Sequence, residues 1–207
     1  MSSENSDLTR RELLAAFTAL GVGALVPLSE AQASEATVAL HVARASATET
    51  GSVFALKVYT PHELATVRML VDYIFPKDAR GGPASAAGSA EWMDIMLDID
   101  PTMQQGHRGG LAWLDHECGK RFSGKAFINC TDTERRQVLD DIAWPRKAKP
   151  EFAVATAWFS SFRDFTATAY WSSEMGIKDL GYIGNTSNPD WNGCPPENYT
   201  RLGVVKP

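Results

Sequence analysis

Apolar residues recur at helical spacing in five stretches of this chain, separated by proline- and glycine-rich breaks. The first follows Thr60-Pro61-His62-Glu63, a capping box with proline at the first helical position. Leu64, Val67, Leu70, Val71 and Ile74 then mark one helical face, and Pro76 ends it. Residues 77–88 carry Gly81, Gly82, Pro83 and Gly88 and read as a loop too flexible for the core. A second helix is expected from about Ala90 to Leu97. A third runs from about Thr102 to Phe122, weakened by Gly106, Gly109 and Gly110. A second capping box, Thr131-Asp132-Thr133-Glu134, opens a helix through Val138, Leu139 and Ile142. After the break from Pro145 to Pro150, the last helix runs from about Glu151 to Trp171. Phe152, Trp158, Phe159, Phe162, Phe165, Tyr170 and Trp171 lie on nearly every side of it. A helix apolar all round is buried all round, either centrally in its own bundle or against another protein.

The ends of the chain read differently. Residues 34–58 are rich in Ala, Ser and Thr, show no helical stripe, and suggest a flexible N-terminal arm with an extended piece at Ser52 to Tyr59. From Gly176 to Pro207 the pattern is a long loop-like tail, rich in Gly and Pro, that nevertheless carries Tyr182, Ile183, Trp191 and Tyr199. Aromatic rings in such a tail need a surface to lie against, the domain's own or a neighbour's. No strand–helix alternation is visible. The expected class is therefore all-α, an irregular helical bundle spanning 59–207 with the tail at 176–207 as an interface element.

Upstream, Thr9-Arg10-Arg11-Glu12-Leu13-Leu14 precedes an uncharged run to Leu28 and the small-x-small triplet Ala31-Gln32-Ala33. Arg10 and Arg11 before a short apolar run read as a twin-arginine export signal over 1–33, which sends proteins to the periplasm already folded. The run is shorter than the roughly 20 apolar residues a membrane span needs and is diluted by Gly21, Gly23 and Pro27. Cleavage before Ser34 would leave 174 of 207 residues, enough for one domain. It would remove two basic and four acidic residues, leaving a net charge near −3. No basic face suits a nucleic-acid partner. Membrane association is expected only indirectly, through a complex.

Chemical motifs are sparse. There is no glycine fingerprint for a dinucleotide, no Cys-x-x-Cys-His for haem, and no four-cysteine pattern for an iron–sulfur cluster. His107 and His116 fall on opposite faces of a continuous helix, so they share no metal without a kink at Gly109-Gly110. Asp115-His116-Glu117 reads as a solvated helix face, since consecutive helical residues do not face one another. Arg146-Lys147-Ala148-Lys149 reads as a solvated loop, with a partner contact as the minor alternative. No catalytic, cofactor-binding or metal-binding residue emerges. The three cysteines leave an odd thiol in a chain bound for an oxidising compartment. Cys118 and Cys130, near the two ends of a short connection, are the candidates for a disulfide. Cys194 would then be left for a bond to another chain, with a buried free thiol or a bond to Cys118 or Cys130 as the rivals.

With these pieces in view, the chain resembles the gluconate 2-dehydrogenase subunit 3 family. The resemblance is carried by Leu8 to Leu14, by Tyr59 to Leu64 leading to Asp72-Tyr73-Ile74-Phe75-Pro76-Lys77-Asp78, and by the aromatic helix. It is carried most specifically by Met175 to Asn185 with Trp191-Asn192-Gly193-Cys194-Pro195. It implies a non-catalytic small subunit without a cofactor of its own. Its partner would be an FAD-dependent large subunit of the glucose-methanol-choline family that oxidises a sugar, sugar acid or glycoside, with a cytochrome c subunit as a possible further member. The small subunit would supply export and hold the flavoprotein competent. Trp158, Phe162, Trp171, Tyr182, Trp191, Cys194 and Tyr199 are then the expected contacts to the large subunit. Two alternatives are a free-standing periplasmic enzyme and a carbohydrate-binding module that uses Trp191, Tyr182 and Tyr199 as a sugar platform.

Overall fold

A computed structural model describes residues 29–50, 54–182, 184 and 193–204, without the side chains of 47–50. The described residues contain nine α-helices: α1 Glu30–Thr50, α2 Pro61–Ile74, α3 Ala84–Ala87, α4 Ser89–Ile99, α5 Gln104–Arg121, α6 Asp132–Ala143, α7 Ala153–Trp171, α8 Glu174–Leu180 and α9 Pro196–Leu202. Short 3-10 turns at Pro101–Met103, Phe127–Asn129 and Pro150–Phe152 lead into or out of them. No strand is present among the described residues. The class is all-α, an irregular bundle.

Both capping boxes form. The Thr60 hydroxyl accepts from the Glu63 amide at 3.2 Å while the Glu63 carboxylate accepts from the Thr60 amide at 2.8 Å. Thr131 and Glu134 repeat the exchange at 3.3 and 2.7 Å. Each box fixes where a helix starts, and so which residues of α2 and α6 turn inward. Val67, Leu70 and Val71 of α2 and Val138, Leu139 and Ile142 of α6 are buried.

The aromatic helix α7 is the hub, packed against α2, α3, α4, α5, α6 and α8. Phe162 is 1% exposed and Trp158 8%, and both sit within a core that also takes Trp92, Met93, Met96, Leu114 and Phe127. Gly110 of α5 lets the two helices approach, because a Cβ there would overlap the Trp158 indole. The glycines that weaken α5 on propensity thus serve its packing, and the helix is unbroken from Gln104 to Arg121.

Three expectations are corrected. Residues 34–58 are not a flexible arm for most of their length, since Glu30–Thr50 is one helix packed on α4. Its core stripe is half-buried Ala33 with buried Ala36 and Leu40, and the two alanines leave little hydrophobic signal yet allow close approach. The Trp92 indole N–H donates to the Thr37 hydroxyl at 3.0 Å and ties the pair together. The loop at 77–88 ends in α3, whose Ala84 and Ala87 are core residues. The tail from 176 holds α8 and α9 rather than loop alone.

Candidate functional site

In a chain without a cofactor motif an exposed apolar surface is a candidate contact face, and one such face is assembled here from two distant sequence segments. The end of α2 and the turn after it, through Phe75 to Gly82, meet the end of α7 and α8. The Phe75 ring stacks on Tyr170 with centroids 4.7 Å apart and meets Trp171 edge-on at 5.6 Å. Asp78 accepts from the Arg80 and Gly81 amides, both at 2.8 Å, which holds its carboxyl below the usual carboxylate range. That turn aims Arg80 at α8, where its guanidinium pairs with the Asp179 carboxylate at 3.3 Å and donates to the Asp179 carbonyl.

Local chemistry fixes α8 itself. The Ser173 hydroxyl caps its start by accepting from the Gly176 amide at 3.0 Å, and Gly181 closes its end in the left-handed region at φ 70°. Gly176 rests on the Tyr170 carbonyl, where a Cβ would clash with backbone. Ile177 and Leu180, three residues apart on the helix, are both exposed, and Tyr182 follows just beyond its end. Leu180 is 60% exposed and Tyr182 54%, so the strip is apolar, exposed and held rigidly. No sequence reading singled out Ile177 or Leu180. Ser173 with Gly176 as a cap and Gly181 as a stop could have revealed the helix that pairs them.

The buried polar groups form a second cluster that sequence reasoning also missed. Asp94 of α4 is fully buried and its carboxylate accepts from three successive amides, Lys57 at 2.7 Å, Val58 at 3.0 Å and Tyr59 at 2.7 Å. This clamp fixes Tyr59, whose hydroxyl lies 2.6 Å from His107 Nε2. The His107 ring is enclosed by Phe162 and Phe165 at 5.5 and 5.7 Å. Burial drives the imidazole pKa down to about 4 and the Tyr59 phenol well above its usual value. The histidine is therefore neutral at pH 7, and a pair sealed among aromatic rings has structural work to do rather than substrate to meet.

The triplet Asp115-His116-Glu117 is a solvated face only at His116. Asp115 takes the His62 imidazole at 2.6 Å and the Phe127 amide at 2.8 Å, and buried Glu117 pairs with Arg121 at 2.7 Å. No group of three His, Cys, Asp or Glu side chains among the described residues could hold a metal ion. No described helix is long and apolar enough to cross a membrane.

A model of the family described as gluconate 2-dehydrogenase subunit 3 matches residues 61–189, more than half of the chain. The chain belongs to the gluconate 2-dehydrogenase subunit 3 family. The match begins at the first residue of α2 and takes in everything through α8, including both segments of the contact face; α1 and α9 lie outside it. No curated protein and no solved structure matches the chain. Membership in a subunit family means that partner chains exist for it, so its surface is the place to look for function.

The expected contacts of this subunit 3 family member divide sharply. Trp158 and Phe162 are corrected: they belong to the chain's own core, because α7 is surrounded by six other helices. Trp171 is half-buried in the stack with Phe75 and Tyr170, at the edge of the contact face. Tyr182 is on that face. Tyr199 of α9 is half-buried and Cys194 is exposed. Trp191, Arg10 and Arg11 lie outside the described residues. Cys118 and Cys130 are both buried free thiols, close enough to hydrogen-bond one another.

Proposed function

We propose that this chain is the non-catalytic small subunit of an FAD-dependent dehydrogenase complex acting on a sugar, sugar acid or glycoside. Its large subunit is a flavoprotein of the glucose-methanol-choline class, which the small subunit stabilises and accompanies through the twin-arginine route to the periplasm. The observation that carries the reading is membership in a dehydrogenase subunit family. Two further features support it: the arginine pair with its apolar run at the N-terminus, and a rigid exposed strip of Ile177, Leu180 and Tyr182 suited to a protein partner.

Co-purification of the full chain from its native host tests the complex. The expected result is a flavin-containing larger chain in stoichiometric amount; a chain recovered alone, with dehydrogenase activity intact elsewhere, refutes it. Export is tested separately by Arg10→Lys with Arg11→Lys, since lysine lacks the planar guanidinium. Both chains should stay in the cytoplasm. Normal periplasmic levels of the small subunit would remove the signal from the reading, and normal levels of the flavoprotein alone would show that it carries its own.

A further inference from the structure

Cys118 and Cys130 are brought together by contacts that have nothing to do with the dehydrogenase reading. Cys118 lies in the last turn of α5 and is fully buried. Cys130 follows the 3-10 turn Phe127–Asn129, immediately before the Thr131 cap of α6, and is 5% exposed. Three anchors press the connector between them onto the bundle. The Phe127 amide donates to the Asp115 carboxylate, one turn before Cys118, at 2.8 Å. The Phe127 ring is fully buried. Arg135 of α6 donates to the carbonyls of Cys130 at 2.6 Å and Ile128 at 3.3 Å. The chain reverses through Ser123 and Gly124, both in the left-handed region, and returns beside α5. The two thiols end within hydrogen-bonding reach of one another. Among the described residues no third His, Cys, Asp or Glu completes a metal-holding group with them.

We propose that Cys118 and Cys130 form a disulfide within this chain, a two-electron redox site that locks the α5–α6 connector. The oxidant is a second disulfide, carried by a thiol–disulfide exchange protein or a small disulfide such as oxidised glutathione. The Cys130 thiol loses its proton and attacks the donor disulfide, forming a mixed disulfide and expelling one thiolate. The Cys118 thiol then loses its proton and attacks Cys130 Sγ, expelling the second thiolate. Two cysteine thiols and one donor disulfide thus become one protein disulfide and two donor thiols. Cys130, the less deeply buried, is the entry point. Burial, with Cys130 beside it, pushes the Cys118 thiol up to about 12, so Cys118 stays protonated while the connector is closed. Because both sulfurs are covered, exchange proceeds when the connector opens, and closing it re-forms the anchors around the new bond.

The full chain is equilibrated with equal concentrations of oxidised and reduced glutathione, quenched in acid, alkylated under denaturing conditions and digested with trypsin. Cleavage after Arg108, Lys120, Lys125 and Arg135 places the two cysteines on separate peptides, 109–120 and 126–135. The expected result is a linked pair of those peptides, 2 Da lighter than their sum, which disappears on reduction and persists in Cys194→Ser. Reduction should also lower the thermal midpoint by about 5–10 °C, as expected for a cross-link across a loop of this size in a domain of this length. Wild-type protein carries the reading, so no variant needs to fold. Full alkylation of both thiols after equilibration overturns the proposal, and so does a linkage found only through Cys194.

Discussion

Acid should destabilise this protein through His107, and by an amount that follows from its burial. The imidazole titrates near pH 6.5 when the chain is unfolded and near pH 4 in the folded state, where burial dominates and only the more distant charge of Glu63 opposes it. Between those values the unfolded state binds the proton and the folded state does not, so stability falls as pH falls. The full contribution is present above pH 6.5, declines by about 1.4 kcal/mol per pH unit below it, and is exhausted near pH 4. The total is about 3 kcal/mol, a large part of the roughly 5–15 kcal/mol available to a domain. Urea unfolding of the full chain at pH 7.5, 6.5, 5.5 and 4.5 measures it, with His107→Gln as the control that cannot take up the proton. Glutamine loses ring packing against Phe162 and Phe165 and should be less stable at neutral pH. The two proteins should converge as pH falls, because only the wild type loses the His107 contribution; the carboxylates titrate alike in both. Parallel curves from pH 7.5 to 4.5 would show that His107 can be protonated in place, and would refute the sealed pocket around it.

Three further outcomes follow from single contacts. Gly110→Ala should cost at least about 2 kcal/mol, because the added methyl meets the Trp158 indole rather than open space, and a denaturation midpoint within error of wild type would contradict that close approach. Asp94→Ala leaves the amides of Lys57, Val58 and buried Tyr59 without their acceptor and should cost about 2–4 kcal/mol; Asp94→Asn, which keeps one oxygen, should cost less. Leu180→Asp changes an exposed residue, so the isolated chain should keep its unfolding midpoint while recovery of the partner falls at least about tenfold; undiminished recovery would move the contact elsewhere.

The parts of the fold legible in the sequence are those in which one local rule dominates. Thr60 and Thr131 announce α2 and α6 because a capping box is complete within four residues. Pro76 and Pro145 mark breaks because proline removes a donor wherever it stands. The hidden parts depend on partners distant in sequence. α1 hides its core stripe in alanines, whose value lies in close approach to α4 and cannot be seen without α4. Asp94 looks like any helix carboxylate until the chain at 57–59 arrives beside it. His107 and His116 do fall on different faces of α5, as helical periodicity requires, but periodicity gave no sign that the buried one meets Tyr59.

The aromatic helix shows why apolarity alone could not locate the partner surface. Seven large rings in or beside one helix are compatible with a central core element or with an interface, and the sequence favours the core without excluding the interface. The deciding quantity is what surrounds the helix. Once α2, α3, α4, α5, α6 and α8 occupy its sides, Trp158 and Phe162 have no surface left to offer, and exposing them would unmake the bundle. A partner can therefore reach only what the core excludes, which at this end of the molecule is the outer side of α8. Gly176 against the Tyr170 carbonyl and Arg80 against Asp179 hold that side in place before any partner arrives. A strip ordered in advance loses little further conformational freedom on docking, so even three side chains there can contribute usefully to association. Gly176 and Asp179 lie in the segment 175–185, and Asp78, whose turn aims Arg80, ends the segment 72–78. On the proposed reading these anchors present α8 to the partner, with Ile177, Leu180 and Tyr182 as the residues presented.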